Sequence, residues 1–247
     1  MIVKGGELRA RVVPRGDVDA AARDAMWGCF EALYADVSRA RFERDLDDKD
    51  TVILLEDAAG RIQGFSTLRL ERHAHPDDGR EVLVVYSGDT VILPTHWGDH
   101  ALQAAFFGCV MDAVQRARGA PVYWFLISKG YKTYLLLARN FPSFWPRRGV
   151  ETPAPVAALL DHLCQARFGD AWDPARGTLR FDEPLGRLRE DVAPIEGRAA
   201  EDPDVAFFVE RNPGHAGGEE LCCLGLVDVE LATSYTQKLA RLRGAGR

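Results

Sequence analysis

The chain has 247 residues, of which 47% are apolar and 28% charged, and it carries a net charge of −6. This composition is typical of a globular protein, and the negative charge argues against a general nucleic-acid-binding protein. The chain lacks the long apolar run of a transmembrane helix, and its first residues, MIVKGGELRARVV, are too charged for a secretion signal. Five cysteines without CxxC spacing predict free thiols. We therefore expect a cytoplasmic protein, and peripheral contact with a membrane stays open.

The N-terminal third is predicted to alternate strands and helices. In chain order the predicted elements are a strand over 8–13, helices over 16–37 and 38–46, and strands over 51–57 and 61–73. Asp17 and Ser38 precede apolar residues at helical spacing and are candidate N-caps. The last two strands are separated by the short turn AAG, which is typical of a β-hairpin.

The middle of the chain predicts a crossover between two parallel strands. A long strand over 80–94 is interrupted by Ser87-Gly88-Asp89, where we expect a bulge or bend. A turn at Gly98 and a helix to about residue 118 follow, and then a buried strand over 121–128 and a helix over 130–141. The strand–helix–strand order favours parallel pairing, because such strands need a long connection.

The C-terminal part has a looser pattern. The predicted elements are a helix over 155–169, a long surface excursion over 170–203, strands over 204–210 and 220–229, and a closing helix over 231–244.

A basic segment lies within this acidic chain. Between Asp112 and Glu151 there is no acidic residue, while seven basic residues occur there: Arg116, Arg118, Lys129, Lys132, Arg139, Arg147 and Arg148. Such a segment indicates either an anionic partner or a solvated basic face, and the sequence leaves both readings open.

The order of elements resembles the Gcn5-related N-acyltransferase (GNAT) superfamily. The resemblance is carried by TVILLEDAAGRIQGFSTLRL, VVYSGDTVILPTHWGDHAL and VYWFLISKGYKTYLLLARNF. It implies an α/β (α+β) fold with a mixed, mostly antiparallel sheet and helices on both faces. It also implies an acyl-donor-binding core over 1–150, with a C-terminal helix, loop and strands over 151–247 that complete the sheet within the same domain.

The resemblance implies transfer of an acyl group from a thioester of acyl carrier protein or coenzyme A to an amine, without a metal. A long acyl chain is expected, with an amino acid or a lipid precursor as acceptor. The basic stretch 116–148 would dock the acidic carrier protein. Six aromatic residues could line a lipid tunnel or simply form core: Phe106, Phe107, Trp124, Phe141, Phe144 and Trp145.

The cofactor turn of the resembling family, Arg or Gln followed by x-x-Gly-x-Gly or Ala, falls on residues 95–100, where Gly98 alone matches. A helix that begins there would offer free N–H groups to an anion. The donor-binding candidates near this turn and along the neighbouring strands are Ser87, Thr90, Thr95, Trp97, Gly98, Asp99, His100, Lys129 and Lys132.

Amide formation from a thioester needs a base for the amine and a proton for the leaving thiolate. Tyr86 and Asp89 interrupt an apolar strand, which suggests that they pair structurally or face a site. His96 is a candidate general base. The resemblance implies a tyrosine that protonates the thiolate, and although its position falls on Leu136, Tyr131 and Tyr134 are close by.

Two other functions stay open at this stage. The poor match of the cofactor turn favours a non-catalytic module that binds an acyl ligand or a protein. His96 and His100 are four residues apart, as in a metal-dependent hydrolase, but no third ligand is evident in the sequence near them.

Overall fold

The computed structural model describes residues 7–181, 186–190, 192, 194–228 and 230–231. The strands in these ranges are β1 (Arg9–Pro14), β2 (Tyr34–Ala35), β3 (Thr51–Glu56), β4 (Ile62–Ala74), β5 (Glu81–Ile92), β6 (Val122–Ser128), β7 (Phe144–Trp145), β8 (Trp172–Asp173), β9 (Thr178–Leu179), β10 (Arg187–Leu188) and β11 (Glu220–Val227). The helices are α1 (Ala20–Leu33), α2 (Arg39–Asp47), α3 (Ala101–Ala117), α4 (Tyr131–Asn140), α5 (Ala154–Phe168), α6 (Arg198–Glu201) and α7 (Pro203–Arg211).

One mixed sheet runs through the described chain in the order β1-β3-β4-β5-β6-β11-β9-β8, and β7 also pairs with β11. The pairing of β5 with β6 is parallel, and the other pairings in the sheet are antiparallel. The predicted fold class, an α/β fold with a mixed and mostly antiparallel sheet, is thus confirmed. Strands β8, β9 and β11 show that the segment after residue 150 extends the same sheet.

Helices cover both faces of the sheet because successive side chains of a strand point in opposite directions. Leu83 and Val85 of β5 pack in the cluster that contains residues of α3, α4 and α7. Val84 and Tyr86 of the same strand pack in the cluster that contains residues of α5. A third cluster joins α1 and α2 to β3 and β4.

The predicted bulge lies in β5. Ser66 pairs with Thr90, whereas Leu68 pairs with Ser87, so β5 contains one residue more than β4 between the two pairs. The extra length falls on Gly88 and Asp89, where a bulge re-aims side chains.

Several local predictions were wrong. The side chain that caps α1 is Asp19, which accepts the N–H of Ala22 at 2.8 Å, and Asp17 belongs to the preceding 3-10 turn. Ser38 is the N-cap residue of α2, as predicted, although its side chain forms no capping hydrogen bond. The helix expected from Gly98 begins at Ala101.

The predicted strand over 204–210 is helix α7. Pro203 is its first residue, the carboxylate of Asp202 accepts the N–H of Asp204 at 2.9 Å, and Val205 and Phe208 are buried at helical spacing. The excursion over 170–203 contains the short strands β8, β9 and β10 and helix α6 in its described part. The predicted closing helix lies outside the described residues apart from Leu231. Among the described helices, none combines the length and apolarity that crossing a bilayer requires.

Candidate functional site

The two parallel strands part at their C-terminal ends. The β5–β6 pairing in the described structure runs from Leu83 and Val122 to Ser87 and Leu126 and ends there. Beyond this point β5 continues along β4 as far as Ile92, whereas Ile127 and Ser128 of β6 pair with β11. The backbone of β5 after the bulge is therefore left without a partner strand on its β6 side.

A cavity of about 720 Å³ opens where the strands part. Its walls come from α1, α2, β5, the turn before α3, the start of α4 and the first residue of β11. The cavity combines aromatic rings with charges of both signs, and such a mixed lining is suited to a polar ligand with an apolar part.

The Asp89 carboxyl group lines this cavity, directly after the glycine of the bulge. No hydrogen bond or ion pair joins it to the described residues. Burial is the main cause that raises the pKa of Asp89 to about 7, and the Asp45 carboxylate adds to it, while Lys129 and Lys49 act in the opposite direction. A carboxyl group with a pKa near 7 can exchange a proton at neutral pH.

Glu220 is a second carboxyl group in the cavity wall, and it is buried. Burial raises its pKa, and the Lys129 ammonium, with its Nζ 3.5 Å from Oε1 of Glu220, opposes this rise. Lys129 also lies over the ring of Tyr34, 5.7 Å from the ring centroid.

The side chain of Lys49 packs against the bulge at Gly88. Its buried Nζ lies 2.9 Å from Oδ1 of Asp45 and donates to the Asp45 carbonyl at 2.7 Å. A Cβ atom on Gly88 would lie 2.6 Å from Cε of Lys49 and 2.7 Å from Oγ1 of Thr67. Glycine at this position therefore makes the space that the Lys49 side chain occupies.

The turn before α3 is capped by its own aspartate. Oδ1 of Asp99 accepts the N–H of Ala101 at 2.7 Å, and Oδ2 accepts the N–H of Leu8 at 3.0 Å. Gly98 has a φ of +93°, a left-handed conformation that favours glycine. The Asp99 carboxylate thus occupies part of the place where the sequence predicted an anion.

Lys132 brings a positive charge to the same turn. Its Nζ lies 3.2 Å from the centroid of the Trp97 ring and donates to the Val192 carbonyl at 3.1 Å. The Trp97 indole in turn donates to the Ile92 carbonyl at 2.8 Å. Burial lowers the pKa of Lys132, and no carboxylate of the described structure forms an ion pair with it.

The structure separates the predicted site residues into two groups. Those that line the large cavity are Tyr86, Asp89, Thr90, Trp97, Gly98, Asp99, Lys129 and Lys132. The others lie apart from its lining: Ser87, Thr95, His96, His100, Tyr131 and Tyr134. The hydroxyl of Thr90, a predicted donor-binding residue, forms a hydrogen bond of 2.8 Å with the hydroxyl of Ser66.

The predicted proton-transfer residues other than Tyr86 and Asp89 lie in turns or in the core, outside the lining of the large cavity. His96 is buried in the 3-10 turn Pro94–His96, and His100 is exposed, with its Nδ1 2.8 Å from Oε1 of Gln103. Tyr134 is fully buried and donates to the Pro146 carbonyl at 3.1 Å. Tyr131 packs in the same core cluster as Tyr134.

The two histidines do not share a helical face, because α3 begins only after His100. Among the residues that the structure describes, no group of three or more His, Cys, Asp or Glu side chains could hold a metal ion. The hydrolase interpretation therefore gains no support from the geometry.

A smaller, mostly apolar chamber of about 60 Å³ adjoins the large cavity, with which it shares Thr90, Leu102, Gln103 and Leu136. Of the six aromatic residues expected in a tunnel, Phe106, Phe107, Trp124 and Phe141 line this chamber. Phe144 packs against Tyr134, and Trp145 packs near the α5 cluster.

Four basic residues of 116–148 have different surroundings in the structure. Arg139 pairs at 2.7 Å with Asp202, the N-cap residue of α7, and Arg148 lies 3.3 Å from Asp204 in the first turn of that helix. Lys129 and Lys132 line the cavity. A sequence stretch without acidic residues is thus matched by acidic residues from a later helix.

Several cavity residues escaped the sequence analysis: Tyr34, Arg41, Arg44, Asp45, Arg167 and Glu220. A signal existed for two of them, since Arg41 and Asp45 are spaced by four residues on a predicted helix and therefore share a face. Glu220 is a charged residue at the start of an apolar strand, but its position beside β6 depends on long-range pairing.

No known family model matches the chain, and no curated protein matches it in sequence. Solved structures do show similarity. A conserved protein of unknown function from Enterococcus faecalis V583, described as a probable N-acyltransferase, is 12% identical over 54% of this chain and 32% of its own, with a TM-score of 0.41. This chain therefore spans about a third of that protein.

The GNAT-family N-acetyltransferase YhbS from Escherichia coli, solved with CoA, is 11% identical over 58% of this chain and 78% of its own, with a TM-score of 0.37. A Trypanosoma brucei acetyltransferase is 19% identical over 60% of this chain and 99% of its own, with a TM-score of 0.36. The chain is thus structurally similar, at low identity, to N-acetyltransferases of the GNAT family.

Proposed function

We propose that the protein is an N-acyltransferase that moves an acyl group from a pantetheine thioester to an amine. The observation that carries the proposal is the end of the β5–β6 pairing at Ser87, with Asp89 facing a large cavity at that point. A slender thioester arm can hydrogen-bond to strand backbone that has no partner, and the cavity leaves room for an acceptor beside it.

The proposed donor enters between β5 and β6 from the side of α3 and α4. Lys132 at the turn would bind a phosphate group of the donor. Because Asp99 already caps α3, the described part of the turn offers the Lys132 ammonium and few free N–H groups. This favours a donor with a single phosphate at that point, as on the phosphopantetheine arm of acyl carrier protein, over the diphosphate of coenzyme A.

Asp89 is the proposed general base. Its carboxylate accepts one proton from the substrate ammonium, and the free amine nitrogen then attacks the thioester carbonyl carbon. A C–N bond forms and the C–S bond breaks, and the second proton lost by the nitrogen passes through solvent in the open cavity to the thiolate. The products are an amide and a free thiol, and Asp89 returns its proton to water.

The small chamber beside Trp124 is proposed to receive the acyl chain. The chamber is small, at about 60 Å³, and its lining is mostly apolar. The described geometry therefore favours a short acyl chain over the long chain expected from the resemblance.

The test follows thiol release from acyl-coenzyme A and acyl carrier protein thioesters with two to sixteen acyl carbons, each with a panel of amines. The expected result is amine-dependent thiol release, with the amide identified by mass spectrometry. Hydrolysis that is independent of the amine, or no consumption of any thioester, would overturn the proposal.

The capped α3 terminus favours one second candidate, a module that binds an acyl ligand without catalysis. That module would bind thioesters in calorimetry and release no thiol. An Asp89→Asn variant separates the two functions, since it would abolish turnover in an enzyme and leave ligand binding in a module unchanged.

A further inference from the structure

The charged residues of α2 fall into two sets. Arg39 and Glu43 belong to an ion-pair network with α1, in which Arg39 contacts Asp24 at 2.9 Å and Glu43 contacts Arg23 at 2.6 Å. The side chains of Arg41 and Arg44, on the same helix, form no ion pair or hydrogen bond with the described residues. An exposed arginine needs no partner in the protein, because water solvates it. A role in ligand binding must therefore be argued from the position of Arg41 and Arg44 relative to the site.

Both of these arginines line the large cavity, and both are exposed. They are three residues apart, and Asp45, which also lines the cavity, is four residues after Arg41, so one face of α2 is turned to the cavity. The Arg41 guanidinium lies 6.0 Å from the centroid of the Phe181 ring, another wall residue.

Charge of the opposite sign lies deeper in the cavity. Glu220 is buried, and burial raises the pKa values of both Glu220 and Asp89. The positive groups near these carboxyls, Lys129 and Lys49, lie beside Glu220 and Asp45. Asp89 is left without an ion-pair partner in the described structure. A ligand that enters therefore meets guanidinium groups first and an unpaired carboxyl group further inside.

We infer that the acceptor carries an anionic group, a carboxylate or a phosphate, in addition to its amine. Its ammonium group binds at Asp89, and its anionic group binds at Arg41 and Arg44, whose planar guanidinium groups suit both kinds of oxyanion. The inference rests on the proposed function, because it takes Asp89 as the base that receives the amine. The aromatic walls between the two charges contact the rest of the acceptor.

The first experiment compares matched pairs of acceptors in the thiol-release assay. Phenylalanine is compared with phenethylamine for a carboxylate, and phosphoethanolamine with ethanolamine for a phosphate. At least one anionic member should have a kcat/KM about tenfold or more above its neutral partner, and the pair that shows this identifies the oxyanion. Equal values in both pairs, or a preference for the neutral amines, would overturn the inference.

The second experiment uses Arg41→Gln and Arg44→Gln, with Arg80→Gln on the exposed β4–β5 turn as the matched control. Each cavity variant should raise KM for the anionic acceptor about tenfold and weaken the salt dependence of that KM. It should leave kcat, and KM for the neutral amine, unchanged. The control should behave like the wild type. Equal KM changes for anionic and neutral amines would reject a role in binding the anion.

Calorimetry without a donor separates failure of this inference from failure of the proposed function. Phenylalanine and phosphoethanolamine are titrated into the wild type and into the two arginine variants. Binding that the variants weaken supports an anion-binding ligand site even where no thioester turns over. Wild-type binding of neither compound, or binding that is equal in the variants, overturns the inference irrespective of turnover.

Discussion

The indole N–H of Trp124 donates a hydrogen bond to the hydroxyl of Ser87 at 2.8 Å. Ser87 is the last residue of β5 that pairs with β6, and Trp124 is a residue of β6. The bond is buried and therefore fixes the two strands to each other at the place where they part. The Ser87 hydroxyl, a predicted donor-binding group, is engaged in this structural bond.

Ser87→Ala should destabilise the protein by about 1–3 kcal/mol, because it leaves the buried indole N–H without an acceptor. The measurement is urea unfolding followed by fluorescence or circular dichroism. Trp124→Phe in the same background removes the unpaired donor, so the two changes should be non-additive. Additive effects would show that the hydrogen bond contributes nothing to the stability of this junction.

Asp89→Asn should lower kcat/KM for acyl transfer by about 10²- to 10⁴-fold, the usual contribution of a general base. Since the pKa of Asp89 is about 7, the pH profile of the wild type should have an acidic limb near that value that the variant lacks. Asp78→Asn on the exposed β4–β5 turn is the control. A limb that persists in Asp89→Asn would assign the base to another group.

Asp89 should also make stability depend on pH. Its folded pKa is raised above its ordinary value, so the folded state binds the proton more tightly than the unfolded chain does. Stability is therefore lost as the pH rises from about 4 to about 7, by up to about 1.4 kcal/mol per pH unit. In thermal unfolding, the melting temperature of Asp89→Asn should decrease less over this pH window than that of the wild type. Parallel plots of melting temperature against pH for the two proteins would contradict the burial of this carboxyl group.

Lys132→Gln should raise KM for the thioester donor several-fold and leave KM for the acceptor unchanged, because the ammonium on Trp97 is proposed to bind donor phosphate. The wild-type donor KM should rise with salt more steeply than that of the variant. An acyl thioester of N-acetylcysteamine, which has no phosphate, is the control substrate. If Lys132→Gln raises KM for this truncated donor by the same factor, the lysine has a structural role and does not bind the phosphate.

Phe106→Ala should shift the preferred acyl chain towards longer donors. The Phe106 ring packs on Trp124, with 4.7 Å between the ring centroids, and lines the small chamber. Removing the ring enlarges the space, so donors with two to four more carbons should gain relative kcat/KM. Wild-type activity that is highest with long chains would show that the chamber does not hold the acyl group.

The sheet was predictable because its strands are separated by strong local signals. The hairpin over 51–73, the bulge at Gly88 and the crossover to β6 follow from alternation, a polar interruption and a strand–helix–strand order. The error at 204–210 arose because DVAFFVE is apolar enough for a strand, while the cap at Asp202 and Pro203 decides for a helix. Local capping outweighed the composition of a short segment.

Only the site residues that lie at the ends of sheet strands were predictable from the sequence. Asp89, Trp97 and Lys132 lie at the ends of the parallel strands, where polar residues after apolar runs indicate a crevice. Arg41 comes from a surface helix and Glu220 from a distant strand. The spacing of Arg41 and Asp45 indicates a shared helical face, but nothing in the sequence indicates that this face and Glu220 line one cavity. The acidic cap of α3 and the pairing of Arg139 with Asp202 likewise depend on contacts that no local pattern contains.

One of the two neighbours of β6 in the sheet is β11, which begins at residue 220, although β6 itself ends at residue 128. During synthesis, Lys129 therefore leaves the ribosome about ninety residues before the carboxylate that it will contact, and translation at roughly 5–20 residues per second makes this a delay of several seconds. Over that interval one edge of β6 has no hydrogen-bonding neighbour. We expect the early chain to depend on chaperones until β11 arrives and closes this edge.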